Sequence, residues 1–170
     1  MERMWNVIRY EQVASTNEVC RQLAVRGADD TAVTARVQTA GKGRLGRSFQ
    51  SPEGGLYLSA LWRSCGSGEL LRVTPMAAVA VCRAVRTLCG LELAIKWVND
   101  LYYKGKKVCG ILTEAGTDLE SGQLEWLVVG IGLNLTATAE DFPPELTAKA
   151  GSLYPGGPAP VSRAALAGAI

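Results

Sequence analysis

The segment from Gln38 to Gly55 limits the architecture more than any other stretch. It has no apolar period, carries Gly41, Gly43, Gly46, Gly54 and Gly55, and contains Pro52. Strand-like segments flank it. Thr31–Val37 is rich in β-branched residues, and Leu56, Leu58, Ala60 and Trp62 alternate, which predicts a strand over Gly55–Arg63 with one buried face. Gly41, Gly43 and Gly46 match G-x-G-x-x-G, but a dinucleotide fold needs a helix to open there and set its N-terminal amides on a pyrophosphate. Pro52 and the paired glycines prevent that helix, so the segment is a loop between strands.

The flanking pattern extends the picture. Asn6–Ala14 reads as a strand, and Ser15-Thr16-Asn17-Glu18 has the form of a capping box opening a helix. Val19, Leu23 and Ala24 give that helix an apolar face, and Gly27 suits its C′ position. Leu71–Cys89 is the longest helical candidate, with Pro75 tolerable near its start and Gly90 as its stop. Leu91–Trp97 and Lys107–Ala115 read as strands around a hairpin turn at Tyr103–Lys106, and Leu124–Leu133 is another apolar run. Thr136–Pro160 is loop-like, and Ser162 suits the N-cap of a helix over Arg163–Ile170. The order predicts an α+β fold with a mixed, mostly antiparallel sheet flanked by helices. At 170 residues the chain suits one domain, and two turns of apolar-faced helix at its end create the expectation that the natural protein continues.

The chain contains no His, which removes Ser-His-Asp and Cys-His nucleophile pairs, His-ligated zinc and imidazole acid–base chemistry. Five cysteines without a C-x-x-C pair (Cys20, Cys65, Cys82, Cys89, Cys109) suggest buried free thiols. The net charge of +2 argues against an extended nucleic-acid surface. No apolar stretch approaches the roughly 20 residues of a membrane span, and no signal peptide opens the chain, so a cytoplasmic protein is expected.

Chemistry therefore falls to Lys, Arg, carboxylates, amides and backbone. Lys42, Arg44 and Arg47 lie within one short glycine-rich turn, where they repel one another unless an anion sits among them; a phosphate or acyl-phosphate suits this. A solvated basic turn or an RNA-binding loop are the other readings of that segment alone. A protein kinase is excluded: Ala94-Ile95-Lys96 has the look of its strand lysine, but H-R-D and D-F-G are missing. In Lys96-Trp97-Val98-Asn99-Asp100 the polar pair could hold magnesium through oxygen, or form an ordinary turn. Lys107 should reach a pocket from the sheet edge, and Gly130 and Gly132 would let a ligand lie against backbone, or mark a bulge.

Together these motifs resemble the catalytic domain of biotin protein ligases. The matching elements are Ser15-Thr16-Asn17, Gln38-x-x-Gly41-Lys42-Gly43-Arg44-x-Gly46-Arg47, Lys96-Trp97-x-Asn99-Asp100, Lys107-x-x-Gly110-Ile111-Leu112 and Gly130-x-Gly132-x-Asn134. The resemblance implies that biotin and ATP give biotinyl-5′-AMP, whose biotinyl group passes to a lysine of a biotin carboxyl carrier protein. It implies biotin contacts from Ser15, Thr16, Asn17, Gln38, Gly41, Lys42, Gly43, Arg44, Lys107 and Gly130. It implies nucleotide contacts from Arg44, Arg47, Lys96, Asn99, Asp100, Lys107 and Asn134, magnesium at Asp100, and catalytic roles for Arg44 and Lys107. It also implies that a small C-terminal β-barrel-like domain is missing from this chain, that an N-terminal DNA-binding domain has no room before Asn6, and that a homodimer is open. A lipoate- or octanoyl-transferring enzyme and a non-catalytic biotin- or nucleotide-binding module are the competing readings.

Overall fold

The computed structural model describes residues 4–63 and 70–170, so Cys65 lies outside the described residues. The strands are β1 (Asn6–Val13), β2 (Thr31–Gln38), β3 (Gly55–Trp62), β4 (Ala94–Lys96), β5 (Asp100–Tyr103), β6 (Lys106–Thr117) and β7 (Leu124–Asn134). The helices are α1 (Thr16–Val25), α2 (Leu70–Cys89) and α3 (Arg163–Ala169). All seven strands join one sheet in the order β1-β2-β3-β7-β6-β5-β4. Only β1 and β2 run parallel; the other neighbours are antiparallel. This is the mixed, mostly antiparallel α+β architecture that the order of elements predicts.

Both faces of the sheet are covered. On one face α1 buries Cys20 and Ala24 against Val33, Leu61 and Val128. On the other, Ala78, Val81 and Val85 of α2 and Leu166 of α3 pack on Leu56, Leu58, Val129, Ile131 and Leu133. Hence β3 is buried on two faces rather than the expected one: α1 covers Ser59 and Leu61, and Tyr57 is buried with its hydroxyl donating to the Pro52 carbonyl of the glycine-rich loop. The thiols of Cys20 and Cys109 are buried and free; burial pushes Cys20 up to about 12 and raises Cys109 further. Cys82 and Cys89 are free but only half-buried, since they lie at the margin of α2's packed face.

Local signals explain most boundaries. Gly27 (φ +87°) ends α1 as a Schellman motif: its N–H donates to the Ala24 carbonyl and the Ala28 N–H to that of Leu23. Lys104 and Gly105 both take positive φ in the predicted hairpin turn between Tyr103 and Lys106. The Ser162 hydroxyl accepts from the Ala165 N–H and caps α3. The expected strand over Leu91–Trp97 shrinks to β4, because the chain reverses after Lys96 and Asp100–Tyr103 pairs back on it as a separate strand.

No side chain crowds the Cβ position of Gly27, so its substitution tests backbone strain alone. Gly27→Ala should lower stability by about 1 kcal/mol in denaturant unfolding without changing the slope of the transition.

Candidate functional site

A bare strip of backbone forms the floor of the site. On the α1 face, Gly110 of β6 is paired directly with Gly132 of β7, and Gly130 is paired with Leu112. Asn17 and Phe49 lie against the strip, while Gly110, Gly130 and Gly132 still line the cavity. A Cβ at Gly130 would lie 2.0 Å from Asn17 Oδ1, and one at Gly132 would lie 2.4 Å from the Phe49 ring. The Phe49 ring also covers Gly110.

One cavity opens above this floor. It is lined by Ser15, Thr16 and Asn17 from the start of α1, Gln38 from the end of β2, and Lys42, Gly43, Arg44 and Phe49 from the glycine-rich loop. Asn99, Lys107, Ile111 and the three floor glycines complete most of the opposite wall. The loop is not free coil: isolated bridges join Gln38 to Ser51 and Lys42 to Ser48, and the Phe49 N–H donates to the Gly41 carbonyl. Leu45 and Gly46 turn its tip with positive φ.

A strand irregularity aims Lys107 into the cavity. Residues 107 and 110, an odd number apart, would ordinarily face opposite sides of a strand. The β5–β6 register shifts between Leu101 and Tyr102, leaving Val108 without its own partner. Lys107 Cε accordingly lies 3.4 Å from the Cβ position of Gly110, on the same face. Lys107 thus sits on an interior strand rather than at the sheet edge. Its Nζ is 2.7 Å from Asp100 Oδ1 and 5.9 Å from the Phe49 ring centroid.

The other two cations are also held. Lys42 Nζ is 3.0 Å from Glu18 Oε2, and Arg44 Nη1 donates to Asn99 Oδ1 at 3.2 Å. Arg21 and then Lys42 hold the Glu18 carboxyl down at about 2. The stability from its pairing is therefore complete above about pH 4.5 and lost as pH falls through 2. These contacts also overturn the capping box. Ser15 occupies the N-cap with extended backbone, but its side chain makes no cap bond, and Glu18 turns outward to Arg21, Gln22 and Lys42. The orphan N–H of Thr16 is satisfied instead by Gln38 Oε1 at 2.8 Å.

Five expected contributors lie outside the cavity lining. Gly41 is buried beneath the loop against Phe49 and Ser51. Arg47 is exposed, while its carbonyl accepts from the Gly43 N–H. Lys96 is exposed on β4, its ammonium 5.5 Å from the Tyr102 ring, because edge-strand residues point into solvent there. Asn134 is buried, with Nδ2 donating to the Gly151 carbonyl at 3.0 Å. Asp100 reaches the cavity through Lys107 and Asn99. Its Oδ1 already accepts from Lys107 and from Asn99 Nδ2, and among the described residues no three His, Cys, Asp or Glu side chains converge. That donor set does not make a metal cage. Sequence reasoning missed Phe49, the lone aromatic in the polar loop, and Ser59 and Glu114, which touch Asn17 from neighbouring strands.

Comparison with known proteins bears on the family and the fold. The profile of the Biotin/lipoate A/B protein ligase family matches residues 10–134. The chain is 36% identical over 151 residues to the bifunctional ligase/repressor BirA of Bacillus spizizenii, covering 87% of this chain and 46% of that protein. It is 35% identical over 151 residues to the biotin–[acetyl-CoA-carboxylase] ligase of Paracoccus denitrificans, covering 87% and 58%. The structure of the Aquifex aeolicus biotin protein ligase in complex with biotin and ATP superposes with a TM-score of 0.78 at 33% identity, over 96% of this chain and 66% of that one. The chain spans about half the length of the curated relatives it matches. Among the described residues no helix is long and apolar enough to cross a membrane.

The Lys42–Glu18 pair is partly exposed, so it contributes at most about 1 kcal/mol to holding the loop. Glu18→Gln should speed limited tryptic cleavage after Lys42 and Arg44 by up to about fivefold, measured by mass spectrometry of early fragments.

Proposed function

Because the chain belongs to the Biotin/lipoate A/B protein ligase family, we propose that it activates biotin with ATP and transfers the biotinyl group to a carrier-protein lysine. The observation that carries this reading is the convergence of Lys42, Arg44 and Lys107 with Ser15, Thr16, Asn17 and Gln38 on one cavity. A polar head pocket and a cationic rim on one cavity suit a small acid whose carboxylate meets a phosphate. Support also comes from the Paracoccus denitrificans relative named as a biotin–[acetyl-CoA-carboxylase] ligase.

In the first step a biotin carboxylate oxygen attacks the α-phosphorus of ATP, and the bond to the bridging oxygen breaks as pyrophosphate leaves. The carboxylate is ionised at neutral pH, so no general base is needed. The obstacle is repulsion between carboxylate and phosphate, together with charge growing on the phosphoryl oxygens. Lys107 and Arg44 offset that charge, and the loop positions the reactants and excludes water from the mixed anhydride. Magnesium enters with the nucleotide as part of the substrate. In the second step a neutral lysine amine attacks the acyl carbon, AMP leaves, and the new amide loses a proton. The acceptor is a biotin carboxyl carrier domain, in keeping with the Paracoccus relative named for acetyl-CoA carboxylase.

Biotin-dependent exchange of pyrophosphate into ATP tests the reading. The chain should support exchange with biotin; exchange with lipoate alone, or none, would contradict it. Lys107→Ala should cost about 3–4 kcal/mol of transition-state stabilisation, a loss of roughly two to three orders of magnitude in exchange rate. Arg44→Gly removes the loop's anchor on Asn99, so released adenylate should biotinylate bystander lysines; labelling equal to the parent's would argue against that role for the loop.

A further inference from the structure

The polar head of the cavity rests on a side chain that does not line it. Ser59 of β3 is completely buried, and its Oγ lies 2.6 Å from Asn17 Oδ1 and 2.7 Å from Thr16 Oγ1. On the far side of Asn17, Nδ2 donates to Glu114 Oε2 at 2.7 Å and to the Leu112 carbonyl at 3.3 Å. A carboxylate and a carbonyl only accept, so both amide protons of Asn17 point away from Ser59 and its oxygen points toward it. The oxygen of an amide only accepts as well, so Ser59 is the donor here, its one proton shared between Asn17 Oδ1 and Thr16 Oγ1.

Thr16 is fixed by the same count. Its N–H and its hydroxyl both donate to Gln38 Oε1, at 2.8 and 3.0 Å, while its hydroxyl oxygen accepts from Ser59 Oγ at 2.7 Å. Gln38 is held in this sense by its Nε2, which donates to Ser51 Oγ at 2.8 Å. No proton of the Thr16 side chain or the Asn17 amide remains for a ligand. What remains is one lone pair on each oxygen, with Asn17 Oδ1 seated against Gly130 at the cavity wall.

We infer that Ser59 and Glu114 are positioning residues that lock Thr16 and Asn17 as hydrogen-bond acceptors, so that this end of the cavity selects ligands bringing N–H donors. This rests on the proposed function and deepens it. The cyclic urea of biotin brings two N–H groups, whereas a dithiolane ring brings none and leaves the acceptors unpaired in a desolvated pocket. The Glu114 carboxylate takes an Asn17 amide proton, and Ser59 donates to the oxygens of both Asn17 and Thr16, which holds both as acceptors.

The test compares biotin with its cyclic carbonate analogue, in which ring oxygens replace both N–H groups, by calorimetric Kd on the full 170-residue chain. The parent should prefer biotin by about 100-fold or more. Glu114→Gln replaces the shorter of the two acceptors on Asn17 Nδ2 with a side chain that can also donate, which weakens the hold on the amide's sense, and the preference should fall at least tenfold. Ser59→Ala should weaken biotin about tenfold and raise the KM for biotin in pyrophosphate exchange, leaving the KM for ATP at the parent value. General destabilisation would not move the ratio of the two ligands. A parent-like preference in Glu114→Gln overturns the inference alone, and that variant decides the matter if Ser59→Ala does not fold. Failure of the parent to bind biotin overturns the proposed function and this inference with it.

Discussion

Two opposed glycines, Gly110 and Gly132, leave a strip of sheet without side chains on the face that α1 covers, and Gly130 extends it. Every other feature of the site is arranged around that strip. Asn17 fits because Gly130 has no Cβ, and Phe49 fits because Gly132 and Gly110 have none. The register shift between β5 and β6 then lays Lys107 along the same strip. Larger residues at these positions would force the amide, the ring or the ammonium out of the cavity, at overpacking costs of about 1–3 kcal/mol each.

Charge is organised on the same scale. In a chain of net charge +2, the three cations of the cavity are each held by one partner: Lys42 by Glu18, Arg44 by Asn99 and Lys107 by Asp100. Partly exposed pairs of this kind contribute about 1 kcal/mol or less, so a phosphate with several oxygens can compete for the donors. The partners define where the side chains wait without binding them tightly. With no histidine in the chain, positioning and charge compensation carry the chemistry, which suits the attack of an already ionised carboxylate.

Much of this was legible before the structure. Glycine punctuation located the loop, the α1 terminus and the β5–β6 turn, because each requires a conformation that other residues resist. Ser15, Thr16, Asn17, Gln38, Lys42, Arg44 and Lys107 were legible as a group through the motifs they share. Other features depend on pairing across the sheet and were not. Lys96 and Arg47 belong to the right motifs but point away, and only the neighbouring strands reveal that. The Ser15–Glu18 spacing fits a capping box equally well, until Lys42 and Arg21 compete for Glu18 and Gln38 competes for the Thr16 amide. Ser59 carries no signal of its own in the sequence; its role arises from α1 lying above it.

The central claim is that one cavity holds a polar head group and a phosphate together. A non-hydrolysable biotinyl-adenylate analogue with an anionic linker, titrated calorimetrically against biotin alone and AMP alone, measures this directly. The account predicts that the joined molecule binds at least about 100-fold tighter than either part, and that neutralising its linker removes most of the gain. Affinity no better than that of biotin alone would mean that the head pocket and the cationic rim do not serve one ligand.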